Sequence, residues 1–233
     1  MVCPVISADP DMRRVTVYDG LVTLAVPADW HEIPPDVLEY YSLRAAEDSG
    51  GQVAEIYQYG FRRGDPEIDF EPPQILIQIR ENGRLNYRQF LHLPTLESLR
   101  RRNDDRLENR SGPLVEDTRL NEVHFDRDRF ALRVDNTLDL TIEGTVLVKS
   151  VSFLTQRGTF TIHGYTTVAE NLALRSVFER IFNSVQIDPT IRYRPRLSDR
   201  TPPRSALVAY SIAAVLAVAT AIMYLAQRRR QAR

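Results

Sequence analysis

Val148 to Ile187 reads VKSVSFLTQRGTFTIHGYTTVAENLALRSVFERIFNSVQI, and this stretch decides the fold. VKSVSFLT and TFTIHGY are joined by Gln156-Arg157-Gly158, which predicts a hairpin because glycine takes positive φ at little cost. Within TFTIHGY, Phe160 and Ile162 share one face while Thr161, His163 and Tyr165 share the other, as the two-residue period of a strand requires. Beyond the hairpin, Leu174, Val177, Phe178, Ile181, Phe182 and Val185 recur at helical spacing, with Glu170, Arg175, Glu179 and Arg180 outside that apolar face. A helix of this kind is expected to close the sheet.

Upstream, the alternating pattern recurs in Val22, Leu24 and Val26, in Ile75, Ile77 and Ile79, and in Phe130, Leu132 and Val134. Asp19-Gly20 between VTVY and LVTL marks another hairpin, so neighbouring strands are expected to run mostly antiparallel. A second helix is predicted from about Thr95 to Glu108, where Thr95 caps and LESLRRRNDDRLE supplies good helix formers. Arg100, Arg101, Arg102, Asp104 and Asp105 then read as its solvated face. Trp30, just after Pro27, reads as a plug of the core. Tyr57, Tyr59 and Phe61 alternate along one strand face, as either a peptide groove or half of the core; spacing leaves both open.

The chain has 233 residues, 43% hydrophobic and 26% charged, with one Cys and a formal net charge of -1. These values exclude a disordered polyampholyte, a collagen-like chain and a disulfide scaffold. Of the 30 basic residues only Lys149 is a lysine, so a bias toward Arg accounts for the arginines without phosphate recognition. Residues 1 to 190 hold 30 acids against 21 bases, whereas the remainder holds one acid against nine Arg. An acidic body repels a polyphosphate, and no nucleic-acid partner is expected. Cys3 lies in MVCPVIS with neither a charged nor an apolar region before it, so no secretory or lipoprotein signal is read there.

The C-terminal signal is of another kind. From Ser205 to Ala226, SALVAYSIAAVLAVATAIMYLA carries no charge and as a helix would span about 33 Å, the thickness of a bilayer core. It is apolar on every face and bounded by Arg204 and by Arg228, Arg229 and Arg230, which predicts a single transmembrane helix. Ser205, Ala209, Ala213, Ala217 and Ala221 recur every fourth position, a small-residue ridge suited to close helix contact and hence to a homodimer. Residues 189 to 204, rich in Pro and Arg, read as a linker that would reach about 50 Å if extended. Arg192, Arg194, Arg196, Arg200 and Arg204 before the span, with Arg228, Arg229 and Arg230 after it, are candidates for lipid headgroup contact. Arginines flank the span almost equally, so topology rests on the lack of an earlier signal: a tail anchor with a cytoplasmic body is expected.

Motifs with strong mechanical meaning are missing: no G-x-S-x-G, no Walker loop, no dinucleotide glycine fingerprint and no H-E-x-x-H. Looser constellations remain. On a continuous strand Glu122, His124, Asp126 and Asp128 would share a face suited to a divalent metal, but Asp126-Arg127-Asp128 reads better as a turn, which scatters them. His163 would need a nucleophile and an orienting acid to act as a general base, and spacing supplies neither; a hydrogen-bonded surface or cleft histidine is expected.

Four segments carry a resemblance. VYDGLVTLAVPADW (17 to 30), ILIQIREN from Ile75, FDRDRFALRV from Phe125 with Ala131 and Arg133, and residues 148 to 187 together resemble the superfamily of the photosystem II PsbP subunit, the Ran-binding Mog protein and the DcrB-type bacterial proteins. The resemblance implies an α+β fold, a curved antiparallel sheet packed between helices, here with an added C-terminal transmembrane anchor. It also implies partner binding rather than catalysis, and it transfers no functional residue.

The expected organisation is a tail over 1–14, a PsbP-like domain over 15–188, a linker over 189–204, a transmembrane helix over 205–226 and a basic tail over 227–233. The expected function is a membrane-tethered, non-enzymatic protein-binding module that assists assembly or chaperoning of a membrane or secretion complex. It has no cofactor and no catalytic or metal residues; its partners are the bilayer and a protein not identifiable from sequence. Two alternatives stand beside it: a metal-dependent or His-assisted hydrolase built around His124 or His163, and a structural subunit of a membrane dimer.

Overall fold

The computed structural model describes residues 11–48, 56–64, 72–91, 115–140, 144–196 and 199. In chain order these form β1 (Met12–Val17), β2 (Val22–Pro27), β3 (Trp30–Glu32), α1 (Pro35–Asp48), β4 (Tyr59–Arg63), β5 (Gln74–Arg80), a short 3-10 turn (Tyr87–Phe90), β6 (Val115–Asp126), β7 (Ala131–Leu140), β8 (Gly144–Leu154), β9 (Thr159–Thr167), α2 (Val168–Ser184) and β10 (Gln186–Ile187). The class is α+β. Every strand pairing is antiparallel, but the strands divide between two sheets rather than the single one expected. A three-stranded sheet has the order β1-β2-β10, and a seven-stranded sheet has the order β3-β4-β5-β9-β8-β7-β6.

The decisive hairpin forms as read. Thr155 accepts the amides of Arg157 and Gly158 on its hydroxyl, at 3.2 and 2.9 Å, and this turn sets Ser150 opposite His163 and Val151 opposite Ile162. Thr167 then caps α2: its hydroxyl takes the Glu170 amide at 3.3 Å while lying 3.4 Å from the Glu170 carboxylate, a side-chain box over the helix's unpaired donors. At the far end Arg129 donates to the Phe182 carbonyl at 2.9 Å, placing a cation on the negative end of the helix dipole.

Leu174, Val177, Phe178, Ile181 and Phe182 of α2 are buried against Ile75, Ile77, Phe160 and Ile162 of the large sheet and Val22, Leu24 and Val26 of the small one. Trp30 is 2% exposed and meets Phe178 edge-on at 6.3 Å, so it is the core plug expected. The opposite face of the large sheet packs Leu76, Val148 and Tyr165 against Val37, Leu38 and Tyr41 of α1. A third cluster joins Phe90, Leu120, Phe125, Leu132, Val134 and Tyr193. The large sheet is therefore covered by α2 on one face and α1 on the other.

Several expectations need correction. The N-terminal tail of 1–14 ends sooner, because β1 begins at Met12 and pairs with Pro27. The linker of 189–204 is not extended through its described part: Ile191 is 1% and Tyr193 4% exposed, and Asp199 is buried as well. Two apolar side chains alternating with Arg192 and Arg194 let this stretch dock as a strap. Tyr57 and Phe61 do not share a face; Tyr57 joins the α1 cluster and Phe61 the α2 cluster, so both belong to the core rather than to a groove. The predicted helix over 95–108 lies outside the described residues, as do Arg200, Arg204 and the whole of 205–233, with Ser205, Ala209, Ala213, Ala217, Ala221, Arg228, Arg229 and Arg230. Among the described residues no helix is long and apolar enough to cross a membrane.

Candidate functional site

His163 is neither on the surface nor in a cleft. It is 0% exposed, on the α1-facing side of β9, with Tyr57 edge-on at 6.3 Å. Its Nδ1 lies 2.9 Å from the hydroxyl of Ser150 on β8. Burial, and then the charge of Arg80, push its pKa down to about 3, so the ring is neutral at pH 7. Its Nε2, both amide atoms of Gln74 and the amide nitrogen of Gln78 are buried without a hydrogen-bond partner among the described residues. Each such atom costs about 1 to 3 kcal/mol while it stays unpaired. Ser150 was not singled out in the sequence; counting outward from the 156–158 turn would have set it opposite His163. A Ser–His contact is half of a nucleophile–base pair, yet here both side chains are sealed in the interior and the Nε2 that an orienting acid would hold meets none among the described residues.

A site open to solvent lies elsewhere. A cleft of about 270 Å³ opens between the β6–β7 turn, the link from α2 to β10, and the strap. The turn is built by Asp126, whose carboxylate accepts the amides of Asp128 and Arg129 at 2.9 and 3.1 Å. This confirms the turn reading of Asp126-Arg127-Asp128; Glu122 and His124 stay exposed on the strand before it, and no metal-holding group of acids and histidines occurs among the described residues. The turn closes with Phe130 at φ 49°, a left-handed conformation that a bulky residue adopts only at a cost. The Phe130 ring is held by Tyr193 at 4.9 Å and by Tyr87 edge-on at 5.4 Å.

Arg129 and Arg192 supply the charge of this cleft. Arg129 spends two donors, on the Phe182 carbonyl and on Asn183 Oδ1 at 3.0 Å, and its guanidinium lies 5.0 Å over the Phe153 ring. Burial lowers its pKa against the neighbouring charge of Asp126. Arg192 donates to the Ile187 carbonyl at 3.1 Å. Both guanidinium groups thus donate to neutral acceptors, and no salt bridge is found for either among the described residues. Sequence reasoning placed Arg192 at a lipid surface and overlooked Arg129, whose neighbourhood depends on long-range packing.

The strap is fastened by Arg84. Its Nη1 donates to Asp199 Oδ1 at 2.7 Å and its Nη2 to Oδ2, while its guanidinium lies 4.5 Å over the Tyr193 ring. The Tyr193 hydroxyl donates to the Leu85 carbonyl at 2.9 Å and accepts the Tyr87 amide at 3.0 Å. Hydrogen bonds from Arg84 hold the Asp199 carboxyl down at about 2. Arg194 and Arg196, read from sequence as headgroup contacts, are exposed and turn back onto the Pro189 carbonyl and Gln156 Oε1 at 3.1 and 3.4 Å.

No family model and no curated protein matches the chain. Among solved structures it is similar to CyanoP, the cyanobacterial PsbP of Synechocystis, with 11% identity over 80% of this chain and 98% of that one at a TM-score of 0.46. It is also similar to the Ran-binding protein Mog1p of Saccharomyces cerevisiae, with 14% identity over 78% and 98% of the two chains at a TM-score of 0.42. LpqN of Mycobacterium tuberculosis, involved in cell envelope biogenesis, follows with 14% identity over 77% and 91% at a TM-score of 0.39. Similarity at these values passes no site residue to this chain.

Proposed function

We propose that this chain is a non-enzymatic protein-binding module, tethered to a bilayer through residues 205–226 with its body on the cytoplasmic side, where it assists assembly of a membrane complex. The observation that supports this reading is the division between the two sites. The histidine with a hydroxyl partner is sealed at 0% exposure, whereas the solvent-open cleft offers arginine and aromatic side chains, which recognise rather than react. The uncharged run from Ser205 to Ala226 supports the tether.

Two measurements test it. Full-length chain carrying a photo-crosslinking residue at the exposed Gln186, irradiated in native membranes, should yield one dominant protein adduct. The purified chain should not turn over ester or phosphoester panels. Turnover that disappears in His163→Ala, with no adduct, would sink the reading in favour of a hydrolase. For the tether, Val215→Arg near mid-span costs about 2.5 to 3.5 kcal/mol of insertion free energy and should move the chain from the membrane fraction to the soluble one.

A further inference from the structure

We infer that the cleft beside the strap is a carboxylate site: it binds an anionic group carried on a single apolar body the size of one side chain. The inference rests on the reading of the body as a binding module and names the chemistry of what that module takes.

Charge is the first argument. Two guanidinium groups line one cleft, each donating to carbonyl or amide oxygen and neither within salt-bridge reach of a carboxylate among the described residues. A guanidinium has five donors, and hydrogen bonds to described residues use two on Arg129 and one on Arg192. Arg129 in particular is half-buried, and its desolvation cost outweighs the more distant negative charges of Asp126 and Glu179, so an incoming anion would relieve it. Three other half-buried cations do have an acid within salt-bridge distance: Arg84 has Asp199, Arg133 has Glu179, and Lys149 has Asp135.

Shape is the second. Phe130, Phe153, Leu154 and Ile187 give the cleft apolar walls, and its volume sits at the small end of ligand sites. It therefore seats one aliphatic or aromatic group rather than a cofactor. Phe130 keeps its strained backbone while presenting its ring there, a combination that recurs where binding sites store strain. One acid, Asp128, stands at the rim and opposes an anion; its removal should strengthen binding, which gives the test a second direction.

A free small carboxylate and the C-terminal carboxylate of a partner protein share this chemistry. The test uses 15N-labelled full-length chain in mild detergent, titrated with N-acetyl-L-leucine, its amide, and a hexapeptide ending in leucine as acid and as amide. The acids should shift the Phe130 and Leu154 amides and the amides of the ligands should not. Arg192→Gln, on an exposed side chain, should weaken acid binding about tenfold, the loss of one charge-assisted bond, while Asp128→Asn should tighten it about twofold. Tighter binding of the peptide acid than of N-acetyl-L-leucine assigns the carboxylate to a chain terminus, and equal binding assigns it to a free small molecule. Equal response to acids and amides, or no response at about 10 mM, overturns the site. Ester turnover by the same sample would refute the binding-module reading and leave this titration standing.

Discussion

Arg84 and Asp199, 115 residues apart in sequence, form a two-pronged ion pair whose side chains are 13% and 4% exposed. The pair closes a loop of chain over the third apolar cluster and carries Ile191 and Tyr193 into the body with it. The folded unit therefore extends to Asp199, and the cleft owes one wall to this strap.

A chain cut after residue 190 should be much less stable than one cut after residue 200. The shorter form loses two buried side chains, at about 1.5 to 3 kcal/mol each, and strands Arg84 without its acid. Asp199→Ala in the full chain removes the ion pair alone and should cost about 2 to 3 kcal/mol, since Arg84 retains the Arg194 carbonyl and the Tyr193 ring. Urea midpoints decide both. Equal midpoints for the two truncated chains would mean that the strap merely rests on the body.

The same pair sets an acid limit. The folded-state carboxyl of Asp199 sits at about 2, below its ordinary value, so its contribution is full above pH 4 and is lost as pH falls toward 2. Other depressed carboxyls, Asp139 and Asp188, titrate in the same direction, so the comparison must be with Asp199→Asn. That variant should be less stable than wild type at pH 6 and converge with it near pH 2. Parallel curves would place the ionised pair outside the folding equilibrium.

Much of this architecture was legible because it is local. The 156–158 turn, the apolar stripe of α2 and the alternation of Ile75 and Ile77 all declare themselves within a few residues. Helix α1 was not read, although Pro35 is suited to a first helical turn and Val37, Leu38 and Tyr41 share a face; the helix carries few apolar residues and its signal was diluted. The strap was misread because proline and arginine resemble a linker until Tyr193 finds Leu85 and Asp199 finds Arg84. Arg129 is overlooked because its partners Phe182 and Asn183 lie 53 and 54 residues away; for His163 the hairpin register does report Ser150, but not the burial to which Tyr57, from a distant part of the chain, contributes.

Gly164 on β9 leaves room for the Phe178 ring of α2 against the large sheet. A Cβ there would stand 2.9 Å from two ring carbons of Phe178, whose side chain is 0% exposed and has no free direction to move. Gly164→Ala should therefore cost about 1 to 3 kcal/mol by overpacking, seen as a lower thermal midpoint. Adding Phe178→Leu should recover part of that loss relative to Phe178→Leu alone. If Gly164→Ala leaves the midpoint unchanged, α2 has slack over the sheet that this packing denies.

His163 gives the second pH test, with a different window. Its folded pKa of about 3 lies below the ordinary histidine value near 6.5, because burial disfavours the charged ring and Arg80 repels it. Ser150 and Tyr57, the groups in contact, are neutral and offer the imidazolium no counterion. The unfolded chain takes up a proton below pH 6.5 and the folded chain does not, so stability is full above that pH and falls as pH drops toward 3. The slope approaches about 1.4 kcal/mol per pH unit for one such group. Wild type should thus lose stability steadily from pH 6 to 4.5, above the range of the carboxylates with depressed pKa. His163→Gln should flatten that segment while lowering stability at pH 7, since Gln approximates the shape but not the proton equilibrium. An imidazole that titrates near 6.5 by NMR in the folded chain, with a wild-type curve parallel to that of the variant, would show the ring in contact with water. It would also reopen the hydrolase reading that its burial argues against.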